Sequence, residues 1–266
     1  PDDFAKGDIS QGDPDDKYAT FRIVLPLEKG VAYGLSGETA TYAQQVYIDG
    51  KLLSEVGKVS DNAEEFVPAT DRYTLYFTAQ ADTAEIIIRH AWFNHRTGTI
   101  QKLCLAKAPL ISANDRAQTV CDGLIAGTLL AMAIFFFGMF LLGNRKRSMM
   151  WFSLTCLTAA LHYLIYESKQ IGVLFPYLDW YTEHKLEYIT NILYFVFILL
   201  YAFAALGLRP HKHFVVTSVC SAGAILLFYI FTPSTVYTHF TVVAGAVMAV
   251  YLILSSVYIC VTAVKH

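Results

Sequence analysis

The sequence lacks the motifs and the charge balance that mark many enzymes and nucleic-acid-binding proteins. Its 266 residues contain no GxSxG, HExxH or P-loop pattern, so no catalytic residue, no cofactor and no metal site is predicted. Lys and Arg number 20 against 22 Asp and Glu, for a net charge of −2. This balance gives no basic face for nucleic acid. Whether the full protein is an enzyme stays undecided at this stage.

Cysteine is scarce as well. The chain has 5 cysteines and no CxxC or mixed His/Cys spacing, which argues against a dense disulfide framework and gives no support for zinc. Cys104 and Cys121 flank the end of the polar half of the chain. A bridge between these two cysteines is left open.

Charge is missing from the interior of long stretches in the C-terminal half. A helix needs about 20 apolar residues to cross the ~30 Å hydrocarbon layer of a bilayer. Stretches of that kind recur here, and a soluble core helix would keep a polar face that these stretches lack. They predict an all-α bundle of transmembrane helices in a lipid bilayer. The predicted helices are 120–143, 149–166, 188–208, 214–231 and 239–264.

Positive charge falls in alternate loops of this predicted bundle. Cytoplasmic loops are enriched in Lys and Arg. The basic loops here alternate with loop 167–187, which mixes acidic and basic residues, and loop 232–238, which has no charge. We therefore expect a multi-pass protein of the inner (plasma) membrane, with its N-terminal half outside the cytoplasm and a signal segment that the sequence given does not include. The residues that set this topology are Arg145, Lys146, Arg147, Arg209 and Lys212.

The N-terminal half alternates apolar and polar residues with a period of two. Asp49-Gly50 lies between two such runs and predicts a type I′ hairpin, because both turn residues need positive φ. Short strands with turn signals between them predict an extracellular all-β sandwich, with a jelly roll as the expected variant. The predicted strands are 18–26, 31–35, 41–48, 51–56, 73–78, 85–93 and 99–105.

These patterns divide the chain into successive parts. Residues 1–16 are expected to form a flexible lead-in, and 17–112 the β-sandwich. Residues 113–119 are expected to form a short joint. This joint could be an extension of the first helix toward its N-terminus. Residues 120–266 form the transmembrane bundle.

Several segments resemble the sensor module of a known receptor family. They are 47–53 (YIDGKLL), 57–59 (GKV), 85–88 (EIII) and 94–98 (NHRTG). Together they are similar to the extracellular jelly-roll domain of bacterial seven-transmembrane receptors with diverse intracellular signalling modules. The first apolar segment, with Asp122-Gly123 at its head and the 145–147 cations at its tail, resembles the membrane part of the same family.

The resemblance implies a transmembrane signalling receptor that senses a carbohydrate-like or other small extracellular ligand. In that family the helices relay the signal to a cytoplasmic output, such as a histidine kinase, a diguanylate cyclase or a phosphatase. The chain departs from the pattern because five spans are predicted rather than seven and no output motif is found in these residues. It is interpreted as a fragment or a shortened relative.

A candidate ligand-binding group lies at the end of the strand predicted at 85–93. It combines Trp92, Asn94, His95 and Arg96, and Tyr47 is added from a neighbouring predicted strand. Aromatic faces stack on sugar rings, and the Arg fork suits a carboxylate. The alternative is that Asn94 and Gly98 simply form a turn and that Tyr47 is an ordinary residue of the sandwich face.

Two other functions stay open beside the receptor. A non-catalytic scaffold would dock a protein through a strand edge of the sandwich. A transporter subunit is weaker, because the predicted spans lack paired carboxylates. The expected partners are an extracellular small molecule or glycan and the lipid bilayer, with no nucleic acid, and a homodimer is left open.

Overall fold

The computed structural model describes residues 17–94, 103–143, 145–208 and 212–265. The chain divides into two units, Pro1–Val120 and Cys121–His266. Within the described residues the first unit contains β-strands and the first turns of a long helix. The second unit is helical.

The β unit is built around one long strand that belongs to two antiparallel sheets. Sheet A has the order β1-β5-β2-β3, and in sheet B the strands β4 and β6 pair with β2. The strands are β1 Tyr18–Pro26, β2 Ala32–Ile48, β3 Lys51–Val56, β4 Ala69–Thr78, β5 Thr83–Ala91 and β6 Cys104–Lys107.

Strand β2 joins two segments that the sequence pattern separates. Residues 31–35 and 41–48 are predicted as two strands, but the structure has one strand of 17 residues. The register shifts between Thr39 and Tyr42, and such irregularities bend a strand without ending it. The first half of β2 therefore pairs in sheet B and the second half in sheet A.

The core of the β unit follows the alternation of the strands. Val46 and Ile88 are 0% exposed and face each other across β2 and β5, and Leu35 on the sheet B half of β2 is 2% exposed. The Asp49-Gly50 turn has φ angles of 49° and 76°, so the predicted positive-φ hairpin is confirmed.

The helical unit contains long apolar helices joined by short connections. Five helical stretches are long and apolar enough to cross a membrane within the described residues, and at most 33% of the residues in their most apolar windows are buried. Exposed apolar surface of this extent needs lipid as its solvent. The helices are α1 Ala108–Leu142, α2 Arg147–His162, α3 Ile171–Leu174, α4 Trp180–Ala205, α5 Lys212–Phe231 and α6 Ser234–Lys265.

The predicted fold class, an all-β domain followed by an all-α apolar bundle, is confirmed. The individual helix bounds differ from the sequence pattern. Helix α1 begins at Ala108 rather than 120, so residues 113–119 are part of it. Helix α4 begins at Trp180 rather than 188, because the Asp179 carboxylate accepts a hydrogen bond from the Thr182 backbone N–H at 3.1 Å and caps the first turn. The Thr182 hydroxyl also donates to the Asp179 carboxylate, at 2.7 Å. This hydrogen bond and the one from the Thr182 backbone N–H lower the pKa of Asp179.

Side-chain contacts connect neighbouring helices of the second unit. The Ser153 hydroxyl of α2 donates to the Ala133 carbonyl of α1 at 2.7 Å. Between α2 and α4, His162 Nδ1 lies 3.3 Å from Thr190 Oγ1. Cys104 and Cys121 are both free thiols, so the bridge that the sequence left open is not formed.

Candidate functional site

Tyr47, the first of the predicted ligand residues, lies on sheet A opposite Ile87. The Arg89 guanidinium carbon is 5.4 Å from the centre of its ring, and its hydroxyl donates to Gln45 Oε1 at 3.1 Å. Its neighbour Val46 points into the core. Tyr47 therefore belongs to the outer face of sheet A.

Trp92 lies on the other side of the same sheet. Its ring centre is 5.5 Å from that of His90, and His90 pairs with Gln44 on the core side of sheet A. Side chains on alternate positions of a strand point to opposite faces. The structure therefore does not bring Trp92 and Tyr47 together.

Asn94 ends the described part of this loop. Its side-chain Nδ2 is buried and has no hydrogen-bond partner among residues 17–94, 103–143, 145–208 and 212–265. His95 and Arg96 lie outside the described residues. The loop from Trp92 to Arg96 stays a prediction as a ligand site.

A buried polar group lies beside Trp92. His90 is 2% exposed, and the Tyr42 ring centre is 4.7 Å from its own. The Tyr73 hydroxyl donates to Gln44 Oε1 at 3.0 Å. Burial disfavours the charged forms, and it lowers the pKa of His90 to about 4 and raises the pKa of Tyr73 to about 12. Both groups are neutral at pH 7, which favours a structural role.

A cleft on the outer face of sheet B is the second candidate site, and no site was predicted there from the sequence. Its volume is about 480 Å³, within the range of small-molecule sites. Sheet B forms one wall and the first turns of α1 form the other. The described residues that line the sheet side are Ser36, Gly37, Glu38, Arg72, Cys104 and Ala106, and those on the helix side are Leu110, Ile111, Asn114 and Gln118.

The cleft exists because α1 packs closely on β2 at one point. Gly34 has no side chain, and Ile111 lies directly over it: a Cβ at position 34 would be 2.8 Å from Ile111 Cβ. Ile111 is 2% exposed, while Leu110 is 66% exposed. The helix is thus fixed at Ile111, and the space beside this contact stays open.

Polar groups converge on the cleft from both walls. Glu38 and Arg72 are directly opposite each other on β2 and β4. With its amide oxygen turned toward β4, Gln118 accepts from Arg72 Nη1 and Nη2, both at 3.2 Å. This contact joins sheet B to α1 two turns beyond Ile111.

Sequence reasoning missed this group because it treated residues 113–119 as a joint. Ile111, Asn114 and Gln118 have the i, i+3, i+7 spacing of one helix face. A helix begun at Ala108 would have aligned them. The spacing therefore indicated the helix side of the cleft. It did not indicate which sheet residues face that helix.

A buried polar contact also lies within the helical unit. Asp122 of α1 is 7% exposed and accepts a hydrogen bond from the Tyr163 hydroxyl at 2.7 Å. Tyr163 begins a π-helical turn, Tyr163–Glu167, and such turns occur often at functional sites. Asp122 lies inside the first predicted span, 120–143, where no interior charge was expected.

Replacing Tyr163 with phenylalanine should destabilise the helical unit by roughly 1–3 kcal/mol, because a buried carboxyl group loses a hydrogen-bond donor. Unfolding of the full chain in detergent, followed by circular dichroism, measures this loss. The matched control is Tyr177→Phe, since Tyr177 is fully exposed. Equal stability of the two variants would show that the Asp122 contact is unimportant.

The described topology-setting residues lie at helix ends. Arg145, with a φ of 47°, and Lys146 precede α2, Arg147 begins it, and Lys212 begins α5. Arg209 lies outside the described residues. These positions keep the cations at the ends of the apolar segments, as a membrane requires.

Within the described residues, an antiparallel β domain followed by five apolar helices defines a class: a multi-pass membrane protein with an N-terminal β domain. Residues 118–266, more than half of the chain, match the family model described as 7TM diverse intracellular signalling, and the chain belongs to this family. It is therefore a membrane receptor for signalling, as the resemblance in the sequence predicted.

Other comparisons add little. A solved structure titled "EclA C-terminal domain; sugar-binding protein" matches with 17% identity and covers 38% of this chain and 86% of its own. Its TM-score is 0.23, so this likeness carries no conclusion about fold or ligand. No curated protein matches the chain.

Proposed function

We propose that this receptor senses an extracellular small molecule through its β unit and relays the signal through α1 to a cytoplasmic output, such as a histidine kinase. One observation carries the proposal. Helix α1 begins directly after β6, packs on sheet B at Gly34, and continues as an apolar helix to Leu142. The same helix therefore contributes residues to the cleft and an apolar segment to the membrane.

In this proposal the ligand acts by changing how α1 packs on sheet B. A ligand shifts a two-state equilibrium only if it binds one state better. Here the two states would differ in the contacts that Ile111 and Gln118 make with the sheet. Small shifts of a packed helix are a common form of signalling transition. Homodimer formation stays a prediction.

Hydrogen exchange on the full chain in lipid nanodiscs tests this relay. A panel of sugars, amino acids and organic acids is screened by thermal shift, and each compound that binds is then tested for changed amide exchange in 108–120. At least one should slow or speed exchange there. If compounds bind but never alter exchange in α1, the proposed relay is wrong.

The orientation is part of the proposal, and it rests on the cations at 145–147 and 212. We expect the β unit outside the cytoplasm of the inner membrane. In a cysteine-free background, Ser148→Cys should react with a membrane-impermeant maleimide only after cells are permeabilised. Lys51→Cys, in the β2–β3 hairpin, is the matched outer control and should react in intact cells once the outer envelope is opened. Labelling of Ser148→Cys from outside would reverse the topology.

A further inference from the structure

The side chains that line the cleft between sheet B and α1 limit the chemical class of ligand that it can bind. The inference about that class rests on the function proposed above. An acidic and a basic side chain, Glu38 and Arg72, start from directly opposed positions on β2 and β4. Opposed residues have Cβ atoms roughly 5 Å apart. A carboxylate and a guanidinium whose side chains start so close together can reach the ammonium and the carboxylate of one small molecule.

The remaining walls of the cleft add amide groups and aliphatic surface. Asn114 and Gln118 follow one another on the helix face and offer amide donors and acceptors, and Leu110 and Ala106 give apolar contact. None of the described lining residues is aromatic, whereas sugar rings are usually held by stacking on aromatic faces. The described walls of the cleft therefore lack the stacking surface that a sugar ring usually binds.

We infer that this cleft binds a small zwitterion of the α-amino acid class. Arg72 takes the carboxylate, because its planar fork binds carboxylates through two hydrogen bonds. Glu38 exchanges the partner that it has in the structure for the ammonium group, and its charge disfavours a simple anion at the same place. The exposed Leu110 faces the ligand's side chain.

The inference also supplies the coupling step. With its amide oxygen turned toward Arg72, Gln118 of α1 accepts hydrogen bonds from both Nη atoms of that residue at 3.2 Å. A carboxylate forms stronger hydrogen bonds with a guanidinium than a neutral amide does, so the bound ligand displaces Gln118 from Arg72. Arg72 then contacts the ligand, and the contact between Arg72 of sheet B and Gln118 of α1 is lost.

Isothermal titration of the full chain in nanodiscs with each of the twenty common L-amino acids tests the ligand class. At least one should bind, and Arg72→Gln should weaken it about tenfold or more, as loss of a charged hydrogen-bond pair does. The matched control is Arg22→Gln, since Arg22 pairs with Glu85 on sheet A and is 69% exposed. It should bind within about twofold of wild type.

A second variant separates charge recognition from damage to the fold. Glu38→Gln should weaken the amino acid but strengthen binding of the matching acid that lacks the ammonium group, such as 4-methylpentanoate for leucine. A structural defect would weaken both compounds. Binding of no amino acid, or equal loss in the Arg72 and Arg22 variants, would overturn the inference.

The outcomes also separate this inference from the proposed receptor function. If D-glucose or another sugar binds and alters exchange in 108–120 while every amino acid fails, the ligand class is wrong and the receptor proposal stands. If an amino acid binds through Arg72 but leaves that exchange unchanged, the ligand class stands and the relay through α1 is wrong.

Discussion

Replacing Gly34 with valine should release the first turns of α1 from sheet B and reduce the stability of the β unit by roughly 1–3 kcal/mol. A Cβ at this position would lie 2.8 Å from Ile111 Cβ and 3.0 Å from Ile111 Cγ1 and Cγ2. Real Cβ atoms do not approach this closely, so the helix has to move. Hydrogen exchange in residues 108–114 measures the release directly and should become faster.

The control for this change is Ala32→Val, two residues earlier on the same face of β2, where residue 32 is exposed. It adds similar bulk without meeting α1. Under the receptor proposal, only the Gly34 variant should lose the ligand-dependent change in α1. Unchanged exchange in the Gly34 variant would mean that Ile111 does not anchor the helix to the sheet.

Acidification should destabilise the β unit through His90. Its pKa is lowered to about 4 by burial, against about 6.5 in an unfolded chain. The unfolded state therefore binds the extra proton first as pH falls. The contribution to stability is complete above pH 6.5, is lost progressively toward pH 4, and then levels off. The size of the loss is about 3 kcal/mol.

Proteolysis of the native full chain between pH 7.5 and 4.5, using an acid-tolerant protease and a reference substrate at each pH, measures this change. His90→Leu removes the titrating ring and places an apolar side chain beside Tyr42 instead. Carboxyl groups in the two proteins contribute equally, so the difference in pH dependence isolates His90. If stability falls equally with pH in wild type and variant, protonation of His90 does not destabilise the β unit.

The membrane half was readable from sequence because its signal is local. A run such as Ile134-Phe135-Phe136-Phe137 is unfavourable in water. Any fold must therefore place it in lipid or in a large apolar interior. The five apolar helices found in the described part of the chain could therefore be predicted. The helix starts were harder, because Ala108 and Trp180 begin in polar sequence where hydrophobicity gives no boundary.

The β half was readable as a class but not in detail. Alternation predicted strands, and Asp49-Gly50 predicted its turn from the φ angles that it needs. The joining of 31–35 and 41–48 into β2 was missed, since a bulge and a turn have similar local composition. Tyr47 was grouped with Trp92 by chemistry alone. Alternation gives the faces within one strand, but only the register between β2 and β5 shows that these two residues lie on opposite faces.

By itself, the sequence determined that the C-terminal half of this protein is embedded in lipid and that a β domain precedes it. Hydrophobic runs and period-two alternation are patterns among neighbouring residues, so they can be recognised without the fold. Only the tertiary structure decided where a ligand would fit. Glu38, Arg72 and Gln118 come from two strands and a helix, and their meeting depends on the register of sheet B and on a glycine that lets α1 approach it. Contacts between residues so distant in the chain leave no local pattern to read.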